Sequence, residues 1–194
     1  MRPKSLDNLI SKLNALPGIG KKQAERISYF IIKDELWISE ELEDALKLVK
    51  KNIKNCQICS YITEEEICDI CSSKDREKKL VIVESSLDVF KFEESNSIKP
   101  YYHVLNGLVN IQKNINPEDL NLSNLIKRSR NFKEVIIALS PNLEGIVTSN
   151  YIGQLLGNDI KVTQLAQGIP LGAAMEYVDE ITLRAALENR KEVK

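Results

Sequence analysis

The sequence predicts a multi-module α+β chain, and three observations carry that prediction. A glycine-rich turn joins two amphipathic stretches near the N-terminus, four cysteines cluster in a segment with little apolar periodicity, and the second half alternates short apolar runs with helical stretches. With 194 residues, 43% hydrophobic and 28% charged, the chain can bury at least one core and lacks the composition of disorder.

Leu6, Leu9, Ile10 and Leu13 recur at helical spacing, as do Ala24, Ile27, Phe30 and Ile31, so two short helices flank Leu16-Pro17-Gly18-Ile19-Gly20. The arrangement reads as a helix-hairpin-helix. At the start of a helix the first N–H groups have no partner and the helix dipole favours an anion. Gly18 and Gly20 let the backbone turn tightly and come close to a ligand, and Pro17 sets the entry angle. Lys21, Lys22 and Arg26 follow in the first turns of the second helix. Residues 1–54 are therefore expected to form a DNA-binding region, with Gly18, Gly20, Lys21, Lys22 and Arg26 meeting backbone phosphates without reading sequence. A plain αα-corner would use the same turn, but the charge distribution favours DNA. The whole chain has a net charge of −1, yet residues 1–33 carry +5, leaving −6 for the remainder. A third amphipathic helix is expected from about Glu40, with Ser39 as its N-cap and Leu42, Ala45, Leu46, Val49 and Ile53 on one face.

Residues 55–76 are too poor in apolar periodicity to fold on burial alone. Cys56, Cys59, Cys68 and Cys71 form two C-x2-C pairs separated by eight residues, a spacing that brings four thiolates round one tetrahedral ion. A complete thiolate set leaves no open coordination position, so the expectation is one structural Zn2+ per chain. A redox role would need only one C-x-x-C.

From Leu80 the pattern is that of an α/β unit with a mainly parallel sheet. Strands are expected at 80–83, 102–105, 135–139 and 160–165, and helices at 87–93, 122–130, 148–156 and 179–188. An apolar C-terminal tail over 173–194 is expected to pack on a neighbouring subunit. Glu84 ends an apolar strand, Asp88 follows four residues on, and Glu144 is the one acid of the loop Ser140 to Gly145. A magnesium phosphoryl-transfer site would need several converging carboxylates there. His103 is the only histidine, which excludes a His-based zinc site or triad, and it reads as a structural residue beside Tyr102. Trp37 and the tyrosines show no stripe suited to base stacking and read as core or interface residues. No signal peptide or membrane-spanning run is apparent, so the expected location is the cytoplasm, with no membrane partner.

Taken in order, these features resemble the RecR family of bacterial recombination mediators over nearly the whole chain. The resemblance rests on LPGIG with Lys22, Ala24 and Arg26, the cysteine spacing, Val81 to Glu84 with Asp88, Tyr102 to Gly107, and Ala166 to Gly172 followed by Tyr177-Val178-Asp179-Glu180. It implies that residues 77–172 form a Toprim domain, the fold shared with topoisomerases and primases. In catalytic versions a D-x-D-x-E-G loop accompanies the strand-end glutamate. Here Ser140 and Asn142 stand where the aspartates would be, which implies a disabled metal site and no catalysis. Family members usually read N-P-T-x-E-G-E at this loop, from which Ser140, Asn142 and Ile146 depart. The resemblance further implies a dimer or ring-shaped tetramer that encircles DNA, an acidic face of Glu84, Asp88 and Glu144 that engages RecO, and joint action with RecO and RecF to load RecA at single-strand gaps. Two competing readings are an active, magnesium-dependent Toprim nuclease or primase-like enzyme, and a monomeric hairpin-and-zinc module that recognises damaged DNA.

Overall fold

The computed structural model describes residues 2–33 and 37–192, apart from the Trp37 side chain, so the expected core or interface role of that residue lies outside the described residues. The chain divides into two compact units, 1–53 and 54–194.

In the first unit, α1 (Lys4–Asn14) and α2 (Lys21–Lys33) pack around Leu6, Ile10 and Ala24, with Leu13 and Ile19 against them. The turn between them closes through Leu16 N–H to Leu13 O and Ile19 N–H to Leu16 O. Gly18 sits at φ +79°, a conformation open to glycine at little cost, so the turn depends on it. The third helix, α3, spans Trp37–Asn52 and starts earlier than expected, which puts Ser39 inside the helix and not at its cap. Its apolar stripe is real but not buried: Leu42, Leu46, Val49 and Ile53 are all exposed. Periodicity marks which side of a helix is apolar, not what covers it. Phe30, which shares the helical apolar spacing of α2, is likewise 57% exposed.

The second unit opens with a small two-stranded antiparallel sheet, β1 (Lys54–Asn55) and β2 (Ile62–Thr63), followed by the single-turn helix α4 (Asp69–Ser72). Neither strand carries enough side chains to show a sequence pattern. Then comes an α/β unit whose strands β3 (Lys79–Val83), β4 (Tyr101–Val104), β5 (Glu134–Ala138) and β6 (Val162–Gln164) form one parallel sheet in the order β4-β3-β5-β6. The strands fall where the apolar runs predict them, although β6 is shorter than its run. Helices α5 (Ser86–Ser95), α6 (Ser123–Ser129) and α7 (Leu143–Leu156) supply the crossovers, and α8 (Glu180–Glu188) lies in the tail. The helix expected at 148–156 begins five residues earlier, because Asn142 caps it by accepting from the Gly145 N–H at 2.8 Å.

Strand side chains alternate between the two faces of the sheet. Leu80, Ile82, Val135 and Ile137 pack with Leu125 of α6 and Ile152 and Leu156 of α7. Val81, Val83, Tyr102 and Val104 pack on the other face with Val89 of α5 and with Cys56, Cys59, Cys68 and Ile70. The cysteine module is thus part of the core on that face. Tyr177, Ile181 and Leu187 of the tail are exposed. Among the described residues, no helix is long and apolar enough to cross a membrane.

Candidate functional site

The hairpin delivers the start of α2 with its donors free. Gly20 O accepts the first helical bond, from Ala24 N–H at 2.9 Å, which leaves the N–H groups of Lys21, Lys22 and Gln23 unpaired among the described residues. Beyond Gly20 and its chain neighbours, no atom of the described residues lies within 4 Å of where a Cβ of Gly20 would stand, so the approach to these donors is open. Lys21, Lys22 and Arg26 are exposed and form no ion pair among the described residues. The one acid on this part of α2, Glu25, is held by Arg2 at 2.9 Å, which raises the Arg2 pKa and removes a charge that would repel an anion. The helix end therefore combines partial positive charge on the backbone with full charges on side chains.

The four cysteines converge. All four Sγ atoms lie within 4.8 Å of one another, and Cys59 and Cys68 are 3.6 Å apart. Zn–S bonds of about 2.3 Å in a tetrahedron require S···S distances of about 3.8 Å, so the donor set fits a zinc ion in chemistry and size. Two tight turns create the cluster. Ser60 N–H donates to Cys56 O at 2.9 Å, with Ser60 in the left-handed region at φ +61°, and Cys71 N–H donates to Cys68 O at 3.0 Å. Sharing of protons among the sulfurs holds the Cys59 thiol far above its usual range through its hydrogen bond to Cys68, while the same bond draws Cys68 down. A divalent cation resolves that conflict by taking all four as thiolates. Zinc bound there is structural: the ligands fill its coordination sphere, and the module then closes one face of the sheet.

Several bonds lock the module to the sheet. Val104 N–H donates to Cys59 O at 2.8 Å, the Tyr101 hydroxyl to Ser73 O at 2.7 Å, and Asn121 Nδ2 to Ser60 Oγ at 2.7 Å. Arg128 is the most consequential of these anchors: Nη2 donates to Cys71 Sγ at 3.3 Å while Nη1 donates to Tyr102 O, so one guanidinium joins a metal ligand to β4. Its separation of 57 residues from Cys71 left no trace in the sequence pattern.

The three acids gather at the carboxyl end of the sheet. Glu84 follows directly on β3 and is half-buried, and its pKa is raised first by that burial and then by the negative charges of Asp88 and Glu144. Asp88 also has a local task, accepting from the Ser85 N–H at 2.9 Å and the Ser85 hydroxyl at 3.0 Å in the capping box of α5. Glu144 accepts from Asn110 Nδ2 at 3.2 Å, a partner missed in the sequence for want of any motif. Across the loop, Gly145 packs so closely that a Cβ would lie 1.8 Å from Ser140 O. Among the described residues, the cysteines are the only group of three or more His, Cys, Asp or Glu side chains close enough to share a metal ion.

Comparison with known proteins covers the same territory. The RecR helix-hairpin-helix family matches residues 6–49, the RecR four-cysteine zinc finger domain 53–73, the Toprim domain 78–166 and the RecR C-terminal family 168–191. Recombination protein RecR of Finegoldia magna is 42% identical over 99% of this chain and 98% of its own. That of Mycoplasmopsis pulmonis is 42% identical over 98% of this chain and 100% of its own, and that of Bifidobacterium animalis 40% identical over 97% and 96%. With hairpin, four-cysteine zinc site and parallel α/β unit matched in order and at this identity, the chain belongs to the RecR family of recombination proteins.

Proposed function

We propose that this chain is a non-catalytic recombination mediator in DNA repair that grips DNA by its backbone. The observation that carries the reading is the open start of α2, where the N–H groups of Lys21, Lys22 and Gln23 stand beside the charges of Lys21, Lys22 and Arg26, none of them paired among the described residues. Gly18 shapes the turn and Gly20 leaves the approach clear. One such end offers few phosphate contacts and only weak, salt-sensitive binding. Repeating it in a dimer or a ring-shaped tetramer raises the effective concentration of each contact and makes a clamp. The modules divide at 1–54, 55–76, 77–172 and 173–194, and the exposed apolar residues of the tail, Tyr177, Ile181 and Leu187, suit packing on another subunit. The setting is the cytoplasm.

The acidic face of Glu84, Asp88 and Glu144 serves as the docking surface for RecO, and with RecO and RecF the assembly loads RecA at single-strand gaps. A non-catalytic role is supported by the loop chemistry. Asn142 occupies the helix cap, Asp88 is engaged in a capping box, and the three acids do not make an ion-sized donor set. The test is a pull-down with the cognate RecO. Wild type is expected to retain RecO and Glu84→Lys to lose it, and equal capture by both would contradict the docking surface. Incubation with magnesium and gapped DNA is expected to leave the DNA intact, and cleavage abolished by Glu84→Gln would overturn the non-catalytic reading.

A further inference from the structure

Helix α2 carries more than the phosphate site at its start. Residues three and four apart share one side of a helix, so Lys22, Arg26, Tyr29 and Lys33 form a single stripe along its length. Together with Glu25 and Phe30 they line a groove of about 510 Å³. Tyr29 is 46% exposed and stands in the middle of the cations, with Phe30, 57% exposed, at the edge. The sequence alone offered no aromatic stripe for base stacking, since the tyrosines are scattered along it; the helix creates one by placing a single ring between basic residues.

We infer that this stripe is a contact surface for single-stranded DNA, in which Tyr29 stacks on an unpaired base while Lys22, Arg26 and Lys33 hold the flanking phosphates. The inference rests on the DNA-binding reading above and extends it from phosphates to strand state. Charge complementarity selects the occupant. Three cations face outward, and Arg2 occupies Glu25, the one acid lining the groove among the described residues. A second copy docking by the same stripe would set cations against cations, because an isologous contact brings each residue close to its own equivalents. From Lys22 to Lys33 the stripe runs about 16 Å, at about 1.5 Å per helical residue, long enough for about five nucleotides of a stacked strand at about 3.4 Å each. A ring face can engage only a base released from its partner, so the stacking component is available to a single strand and withheld from an intact duplex.

The experiment measures fluorescence anisotropy of the full chain with a labelled oligothymidine strand and with a duplex of equal length. Tyr29→Ala is expected to weaken single-strand binding about tenfold, the loss typical of one stacked base, and duplex binding far less. Tyr29→Phe keeps the ring and is expected to restore the wild-type preference. Equal losses on both DNAs, or no loss on either, overturn the inference, as does a change in solution mass on Tyr29→Ala, which would assign the ring to subunit contact. Lys22→Glu with Arg26→Glu serves as the separate arm. If that double variant loses both DNAs while Tyr29→Ala loses neither, the stacking inference fails and the phosphate reading stands. If the double variant loses nothing, the phosphate reading fails as well.

Discussion

His103 shows how much a single buried side chain can fix. It lies in β4 beside Ile82 and is fully buried, with Nε2 2.6 Å from Asn121 O. A carbonyl only accepts, so Nε2 carries the proton and Nδ1 faces the core as a lone pair with no partner among the described residues. Burial, joined by the charge of Arg128, lowers its pKa to about 4 against an ordinary 6.5, although the bond to Asn121 pulls the other way. The folded protein thus resists a proton that the unfolded chain accepts. Stability from this residue is whole above pH 6.5 and falls as the pH drops toward 4, by about 2 kcal/mol at pH 5. Urea unfolding at pH 7 and pH 5 checks this: wild type should lose stability by that amount more than His103→Gln, and parallel losses would contradict it. Gly145 makes a second prediction at this scale. With Ser140 O 1.8 Å from the position of a Cβ, Gly145→Ala must displace the loop, and a loss of about 3 kcal/mol or more is expected in the same assay. The four cysteines and the solitary histidine were legible in the sequence because their chemistry depends on residue type and spacing. The partners of His103 and the closeness of Gly145 to Ser140 were not, since they arise from where unrelated segments meet.

Among the elements, the best-read were the sheet strands and the hairpin helices, whose side chains face a core on a regular period. The helix α7 starts five residues before the expected position because Asn142 caps it, and the apolar face expected of α3 is present but exposed. The two strands of the zinc module are two residues each, below the length at which any period registers. Metal and backbone turns shape that module, and Arg128 joins the bonds from Tyr101 and Val104 that hold it to β4. The guanidinium places positive charge against a site that carries a surplus of negative charge with zinc bound, and it orients Cys71 from outside. Arg128→Ala is therefore expected to release zinc to a colorimetric chelator about tenfold faster than wild type. Arg128→Lys keeps the charge but not both bonds, and should fall between them. Equal release from all three would assign Arg128 to folding alone.

For the molecule as a whole, the charge asymmetry of the sequence is carried into the fold: cations gather on α2 and three carboxylates gather at the carboxyl end of the parallel sheet. In the function proposed above, the first would meet phosphates and the second a basic partner. What the sequence could not convey is how many α2 ends act together, because an exposed apolar residue in one chain does not name its cover. The claim on which everything else depends is that DNA is held by its phosphates at α2. The direct measurement is the affinity of the full chain for duplex DNA over a range of salt concentrations, for wild type and for Lys22→Glu combined with Arg26→Glu. The account predicts a steep fall of log affinity with log salt in wild type, and in the variant weaker binding on every sequence with a shallower slope. An unchanged affinity and slope in the variant would contradict it.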